Sequence, residues 1–251
     1  MTSDKQRLDQ LMVVRNLAAS RERARILIRE GAVLVNGFPA AKPGSIVPTD
    51  ATITLKRQDF PYVSRGGLKL EKALEAFYVN LQTAVCLDIG ASTGGFTDCL
   101  LQHGAQRVYA VDVGYGQLAW TLRKDARVIV IERTNARQIS ADIIPEKIDL
   151  VTIDVSFISL RLIVPAVLPL MKRTANIIAL IKPQFEVGKG QVGKGGVVRD
   201  KHLQDEVIMS LRGFFTSLGL ICPGIVPSPI LGPKGNQEFL AFLQRRLGAA
   251  T

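Results

Sequence analysis

Apolar positions recur along the first sixty residues at two different periods. Between Arg7 and Val14, Leu8, Leu11 and Met12 fall at helical spacing. Ser20 is placed to cap a second helix, in which Ala24, Leu27 and Ile28 form an i, i+3, i+4 face. Gly31 stands where a left-handed C-cap belongs. Val33 and Val35 then alternate as a strand, Asn36-Gly37 is a hairpin turn signal, and Thr52–Lys56 alternates again as a second short strand. Periodicity stops at Arg57–Tyr62, which mixes charge, Pro and aromatics. The expected organisation is a small domain over 1–57, a linker over 58–63 and a larger domain over 64–251.

The larger domain opens with a helix, Leu68–Phe77, after Ser64-Arg65-Gly66-Gly67. Apolar, β-rich runs then alternate with helical patterns. The strands predicted are Ala84–Ile89, Arg107–Val111, Val128–Ile131, Ile148–Ile153 and Asn176–Ile181. The helices predicted between them are Gly94–His103, Tyr115–Arg123, Ala136–Ile144 and Leu160–Met171. Such alternation predicts an α/β fold, a parallel sheet with helices on both faces. A long helix over Asp200–Leu218 follows. Ile221–Pro227, the turn Gly232–Asn236 and Glu238–Gln244 then read as an antiparallel hairpin added to that sheet.

Composition narrows the class. The chain has 251 residues, 47% hydrophobic and 22% charged, which suits a globular protein with a real core and excludes long disorder. Its apolar stretches are too short to span a bilayer, and the first residues lack the apolar core of a signal peptide. Three scattered cysteines, Cys86, Cys99 and Cys222, fit a reducing cytosol and give neither a disulfide framework nor a metal cluster. The expected location is therefore cytoplasmic, without membrane partner or metal. A net charge of +10 makes nucleic acid the first candidate partner. Half of that charge lies in residues 1–57, which hold ten basic and five acidic residues. Arg21, Arg25 and Arg29 recur every fourth residue on the side of the second helix away from its apolar face.

Candidate chemistry collects at predicted strand ends. The first strand of the larger domain runs into Asp88-Ile89-Gly90-Ala91-Ser92-Thr93-Gly94-Gly95-Phe96. A Gly-rich turn between a strand and a helix marks a nucleotide-type pocket, and Asp112 at the end of the next strand suits a ribose hydroxyl pair. The spacing is not G-x-G-x-x-G, which disfavours nicotinamide and flavin. Gly188–Gly195 nearly spells a P-loop, but a glycine replaces the Mg²⁺-binding Ser/Thr and the segment follows the fifth strand. A basic loop that meets RNA phosphate through Lys189 and Lys194 is the better reading. Asp154 and Lys182 close the fourth and fifth strands, at the sheet edge that binds ligands in open α/β folds. Glu238 opens the last strand, and Lys69 lies on the helix before the first.

Several motifs carry family resemblances. The pattern RLD-x₂-L … SRE-x-A-x₂-LI-x-EG-x-V-x-VNG resembles the S4-like RNA-binding domain. The resemblance implies that the arginine helix docks on structured RNA. The loop D-x-G-x-x-x-G-G resembles that of Rossmann-like methyltransferases that use S-adenosylmethionine. Lys69, Asp154, Lys182 and Glu238, in that order and on those elements, resemble the K-D-K-E tetrad of FtsJ-like ribose 2′-O-methyltransferases. With SRGGLKL, CLDIGASTGGFTDCLL, VDVGYGQL, TIDVSFISL, IKPQFE and GNQEF, the whole chain is similar to the TlyA family, which methylates cytidine 2′-oxygens of ribosomal RNA.

That resemblance implies roles residue by residue. Lys182 would sit at the 2′-oxygen as base or electrostatic stabiliser. Asp154 and Glu238 would orient it, and Lys69 would position the ribose. Asp88, Gly90, Ala91, Ser92, Gly94 and Phe96 would form the methionine side of the cofactor site. Asp112 would hold the ribose, Tyr115 would pack near adenine, and Glu132 and Asn135 would meet the adenine edge. Arg7, Arg21, Arg25, Arg29, Arg65, Lys189 and Lys194 would contact RNA, with ribosomal RNA or ribosomal subunits as the partner. Three other functions fit the sequence less well. A haemolysin would need an amphipathic or spanning segment, which the sequence lacks. A base methyltransferase would carry [ND]-P-P-[YF] where this chain has Asp154-Val155-Ser156-Phe157. A ribosome-assembly factor without catalysis would not need the four polar residues.

Overall fold

The computed structural model describes residues 4–18, 20–56, 60–188, 190–193 and 195–246. The chain divides into two compact units, Met1–Pro61 and Tyr62–Thr251.

The first unit contains β1 (Lys5–Arg7), α1 (Leu8–Val14), α2 (Arg21–Arg29), β2 (Val33–Val35), β3 (Phe38–Pro39), β4 (Ile46–Pro48) and β5 (Ile53–Leu55). Ser20 caps α2 by accepting the Arg23 backbone N–H at 3.1 Å. After β2, Asn36 (φ 52°) and Gly37 (φ 83°) are both left-handed, the backbone of a tight hairpin. β2 is central in a three-stranded sheet ordered β3-β2-β5, and β1 pairs antiparallel with β4. Periodicity does not single out β1, whose Lys5-Gln6-Arg7 has no apolar residue, or β4, whose Ile46-Val47-Pro48 does not alternate. Leu8, Leu11 and Met12 of α1 pack with Ala24, Leu27 and Ile28 of α2 and with Val33, Val47 and Ile53 in a separate core.

The second unit begins with α3 (Gly66–Ala76), then β6 (Val85–Ile89), α4 (Gly95–Gln102), β7 (Arg107–Val111), α5 (Trp120–Arg123) and β8 (Val128–Ile131). It continues with β9 (Ile148–Ile153), α6 (Leu160–Val167), β10 (Met171–Ile181), α7 (Pro183–Glu186), α8 (Lys201–Ser217), β11 (Leu220–Pro227) and β12 (Phe239–Arg245). The strands form one seven-stranded sheet ordered β11-β12-β10-β9-β6-β7-β8. β6 through β10 are parallel, while β12 enters between β10 and β11 antiparallel to both. Burial on both faces explains the near-continuous apolar runs of β6, of β9 and of the Ile177–Ile181 half of β10. The order reverses at β6, where β7 lies on one side and β9 on the other, and this places a crevice at the carboxyl ends of the strands.

Three predicted helices come out shorter. Tyr115–Arg123 is helical only over Trp120–Arg123, because Gly116 takes φ +73° and its N–H is held by Glu132. Ala136–Ile144 contributes only a 3₁₀ turn over Ala136–Gln138. Leu160–Met171 stops at Val167 and tightens into a 3₁₀ turn, Leu168–Leu170, around Pro169. Met171 already belongs to β10, which starts earlier than Asn176 and carries an irregularity between those two residues.

Candidate active site

The Gly-rich turn after β6 is shaped by close backbone approach. Gly90 has φ +86°, and a methyl group added there would lie 2.3 Å from the Asp154 carbonyl oxygen. No larger residue fits without moving the backbone at the end of β9. Asp112 follows β7, and the turn ties it down at both oxygens. Its Oδ2 accepts the Ser92 N–H at 2.8 Å and its Oδ1 accepts the Gly114 N–H at 2.7 Å.

Between these groups lies a cavity of about 420 Å³. Gly90, Ser92, Asp112 and Asn135 line it, as does Asp154. Val113, Gln117, Thr134, Ser156 and Phe157 line it too and were missed from the sequence. Val113 lies two residues past β7, and Ser156 and Phe157 three and four past β9, so the crevice rule for strand ends would have found them. Asn135 also accepts the Arg137 N–H at 3.0 Å, so turn chemistry already uses its side-chain oxygen.

The other expected cofactor residues are not in the lining. Ala91 and Phe96 are buried, and Gly94 packs on Leu118 and Leu122. Asp88 is fully buried and accepts the hydroxyls of Thr97 (2.7 Å) and Thr152 (2.9 Å), bracing β6 against α4 and β9. Burial lifts its carboxyl to about 6. Tyr115 is 68% exposed and stacks with the Arg133 guanidinium 4.3 Å from its ring centre, rather than facing the cavity. Glu132 pairs with Arg123 and accepts the Gly116 N–H, and the Arg123 bond holds its carboxyl below the usual range.

Two ion pairs stand at the same sheet edge. Lys182 Nζ is 2.6 Å from Asp154 Oδ1 and also donates to Ser156 Oγ at 3.0 Å. Lys69 Nζ donates to Glu238 Oε2 at 2.6 Å. Ile181 pairs with Phe239, so Lys182 and Glu238 follow and precede partners on adjacent strands. The expected partnership is corrected here: Glu238 holds Lys69, and Asp154 alone of the two carboxylates bonds Lys182. Glu238 is fully buried, and its Oε1 has no hydrogen-bond partner among the described residues. Lys69 and Lys182 are also buried, which is tolerable because each ammonium meets a carboxylate. Beside them Phe157 takes φ +63°, is 90% exposed, and lies 4.9 Å from the Phe185 ring.

In the first unit Arg21, Arg25 and Arg29 are exposed along α2. Arg7 is less available than expected, because it forks onto the buried Asp9 at 3.0 and 2.8 Å. That bond holds the Asp9 carboxyl below its usual range. Arg65 is exposed just before α3. Lys189 and Lys194 lie outside the described residues.

The model of the FtsJ-like methyltransferases matches residues 62–245, which covers the whole catalytic sheet. The chain belongs to the FtsJ-like methyltransferase family. An S4 domain matches residues 6–53. This FtsJ-like methyltransferase is 47% identical, over 97% of its length and 91% of the relative's, to the 16S/23S rRNA (cytidine-2′-O)-methyltransferase TlyA of Mycobacterium tuberculosis (strain ATCC 25618 / H37Rv). It is 43% identical, over 94% of its length and 98% of the relative's, to Hemolysin A of Brachyspira hyodysenteriae. The solved structure of the N-methyltransferase NodS from Bradyrhizobium japonicum WM9 shares the fold of the larger unit, with TM-score 0.50 and 16% identity over 71% of this chain and 96% of that one. Among the described residues no helix is long and apolar enough to cross a membrane, and no group of three or more His, Cys, Asp or Glu could hold a metal ion.

Proposed function

We propose that this protein transfers a methyl group from S-adenosylmethionine to a ribose 2′-hydroxyl of ribosomal RNA, at cytidine. The observation that carries the reading is the Lys182–Asp154 pair at the mouth of the glycine-turn cavity, with the Lys69–Glu238 pair on the neighbouring elements. The residues present suit the cofactor. The tight turn at Gly90, packed on the Asp154 backbone, forms the part of the cavity wall where the methionine moiety would lie. The carboxylate of Asp112, held by two backbone N–H groups, keeps lone pairs for a ribose diol. S-adenosylmethionine, when bound, supplies a methyl group already activated on a cationic sulfur.

The chain's own task is to place the 2′-oxygen and manage its proton. Lys182 spends two N–H bonds on Asp154 and Ser156, which leaves one for the incoming oxygen. Held by Asp154 and Ser156, its Nζ is placed to donate to the 2′-oxygen and stabilise the negative charge that develops there. Lys69, fixed by Glu238, bonds a second ribose or phosphate oxygen and holds the nucleotide in line. The exposed Phe157 ring offers a face on which a base can stack. The arginine side of α2 supplies sequence-independent attraction for structured RNA.

The test is transfer of labelled methyl to purified ribosomal subunits lacking the modification. Wild type should label one or both. Lys182→Ala should lower kcat by about 10²–10³-fold, the scale of a lost transition-state donor, with cofactor affinity unchanged. Equal activity of the two proteins would sink the reading.

A further inference from the structure

The edge of the catalytic sheet opposite the cavity carries a second cleft. The pairing of β10 with β9 shifts between Met171 and Asn176, which displaces the intervening residues, and β12 runs out beside them at Arg245. The result is a cleft of about 480 Å³, lined by Arg173, Thr174, Asn176, Gln244, Arg245 and Arg246, with Ile221 as an apolar wall. It holds three guanidinium groups and no carboxylate. Arg173 and Arg246 are exposed and form no ion pair among the described residues. Arg245 is pinned by its bond to the Leu168 carbonyl, and its Nε is buried without a partner among the described residues. The nearby Asp149 is already taken by Lys172 at 2.7 Å and by the Val85 N–H at 3.0 Å. The Asn176 and Gln244 amides, bonded to each other at 3.2 Å, add neutral polar groups.

Planar cationic forks without a competing acid suit phosphate oxygens. We propose that this cleft binds the phosphodiester backbone of the substrate RNA, away from the nucleotide that is methylated. The proposal rests on the RNA-methyltransferase reading. Six residue steps separate Asn176 from Lys182 along β10 and its end, roughly 20 Å at about 3.3 Å per residue. One nucleotide cannot fill both sites, so only a folded or extended RNA gains from the second one. The cleft thus favours ribosomal subunits over short oligonucleotides that merely contain the target base.

The experiment compares the full-length protein with Arg173→Glu/Arg246→Glu and with the milder Arg173→Gln/Arg246→Gln. Arg245 is left in place because it also braces the fold. Binding to purified ribosomal subunits is measured against salt, alongside S-adenosylmethionine binding and methyl-transfer kinetics. The glutamate variant should bind subunits about tenfold or more weakly, and its slope of log K against log salt should be shallower by about 2. The glutamine variant should fall between it and wild type. KM for subunits should rise while kcat and cofactor affinity stay unchanged. A wild-type salt slope in both variants would overturn the cleft while leaving the methyltransferase reading intact. Pyrophosphate binding lost in the variants, with subunit binding untouched, would make it a small-anion site and also overturn the proposal. A wild type that binds subunits yet transfers no methyl group would instead defeat the reading of the active site, and the salt slopes would still judge the cleft.

Discussion

At Gly90 the β6 turn passes so close to Asp154 that one added methyl group would sit 2.3 Å from a backbone oxygen, at a φ of +86°. Gly90→Ala therefore carries two penalties, a strained left-handed backbone and a clash that side-chain motion cannot relieve. The variant should lose about 2–4 kcal/mol of stability by denaturant titration, the range of backbone strain combined with overpacking. It should also bind S-adenosylmethionine at least tenfold more weakly by calorimetry. Asp88 makes a different prediction. Its folded value of about 6 lies above the ordinary value of about 3.9, so the folded state binds the proton more tightly than the unfolded chain. Its contribution to stability therefore rises as pH falls from about 6 to about 4, and its ionisation cost is fully present above 6, at about 3 kcal/mol. The stability of wild type minus that of Asp88→Asn should accordingly increase by up to that amount between pH 7 and pH 4. A flat difference would show that the carboxyl ionises as easily folded as unfolded.

Elements that carry their own period could be read directly from the residues. Ser20, the apolar stripe of Ala24, Leu27 and Ile28, and Gly31 define α2 without tertiary help, and it forms where they place it. β6, β7 and β9 were likewise legible, because a strand buried on both faces leaves an apolar run between turns. Elements that depend on a distant partner were not legible. The chain after Asp112 has helical spacing but is pulled into a turn by the Asp112 and Glu132 carboxylates, which take the Gly114 and Gly116 N–H groups. The site shows the same division. Lys182 and Asp154 could be located because strand ends can, whereas the Lys69–Glu238 bond spans 169 positions and has no local signature. For α2 the prediction concerns charge. Replacing Arg21, Arg25 and Arg29 together by Gln should leave the helix folded, since all three are exposed and Arg7 still pairs with Asp9 when the Arg21 contact at 3.5 Å is lost. Filter binding to ribosomal RNA should weaken strongly, with the salt slope reduced by about 3, one for each lost phosphate contact. An unchanged slope would assign the arginine face to some other partner.

At the scale of the whole molecule, two units with separate cores need not melt together. The cavity proposed for S-adenosylmethionine lies within the larger one. In scanning calorimetry, saturating cofactor should therefore raise the transition of the larger unit and leave that of the smaller unit in place. At a hundred times Kd the gain is about 2.7 kcal/mol. A single transition that shifts as a whole would show the units to be energetically coupled. The net charge of +10 said only that a polyanion was a candidate partner. The fold divides that charge among the exposed side of α2, two lysines buried against carboxylates in the candidate active site, and the arginine cleft.

The place of β12 has a consequence for how the protein comes to be active. It follows every other strand in sequence, yet it lies between β10 and β11, and β11 reaches the sheet only through it. Until it docks, the buried residues Ile177–Ile181 form an open edge, able to pair with the edge of another chain. Contacts between such distant segments are slow to form. Because Glu238 immediately precedes β12, the Lys69 ammonium gains its carboxylate only in that closing step. Catalytic competence should therefore appear with the slowest phase of refolding, after most of the helical signal has returned, and crowded refolding should lose chains to aggregation at that same stage.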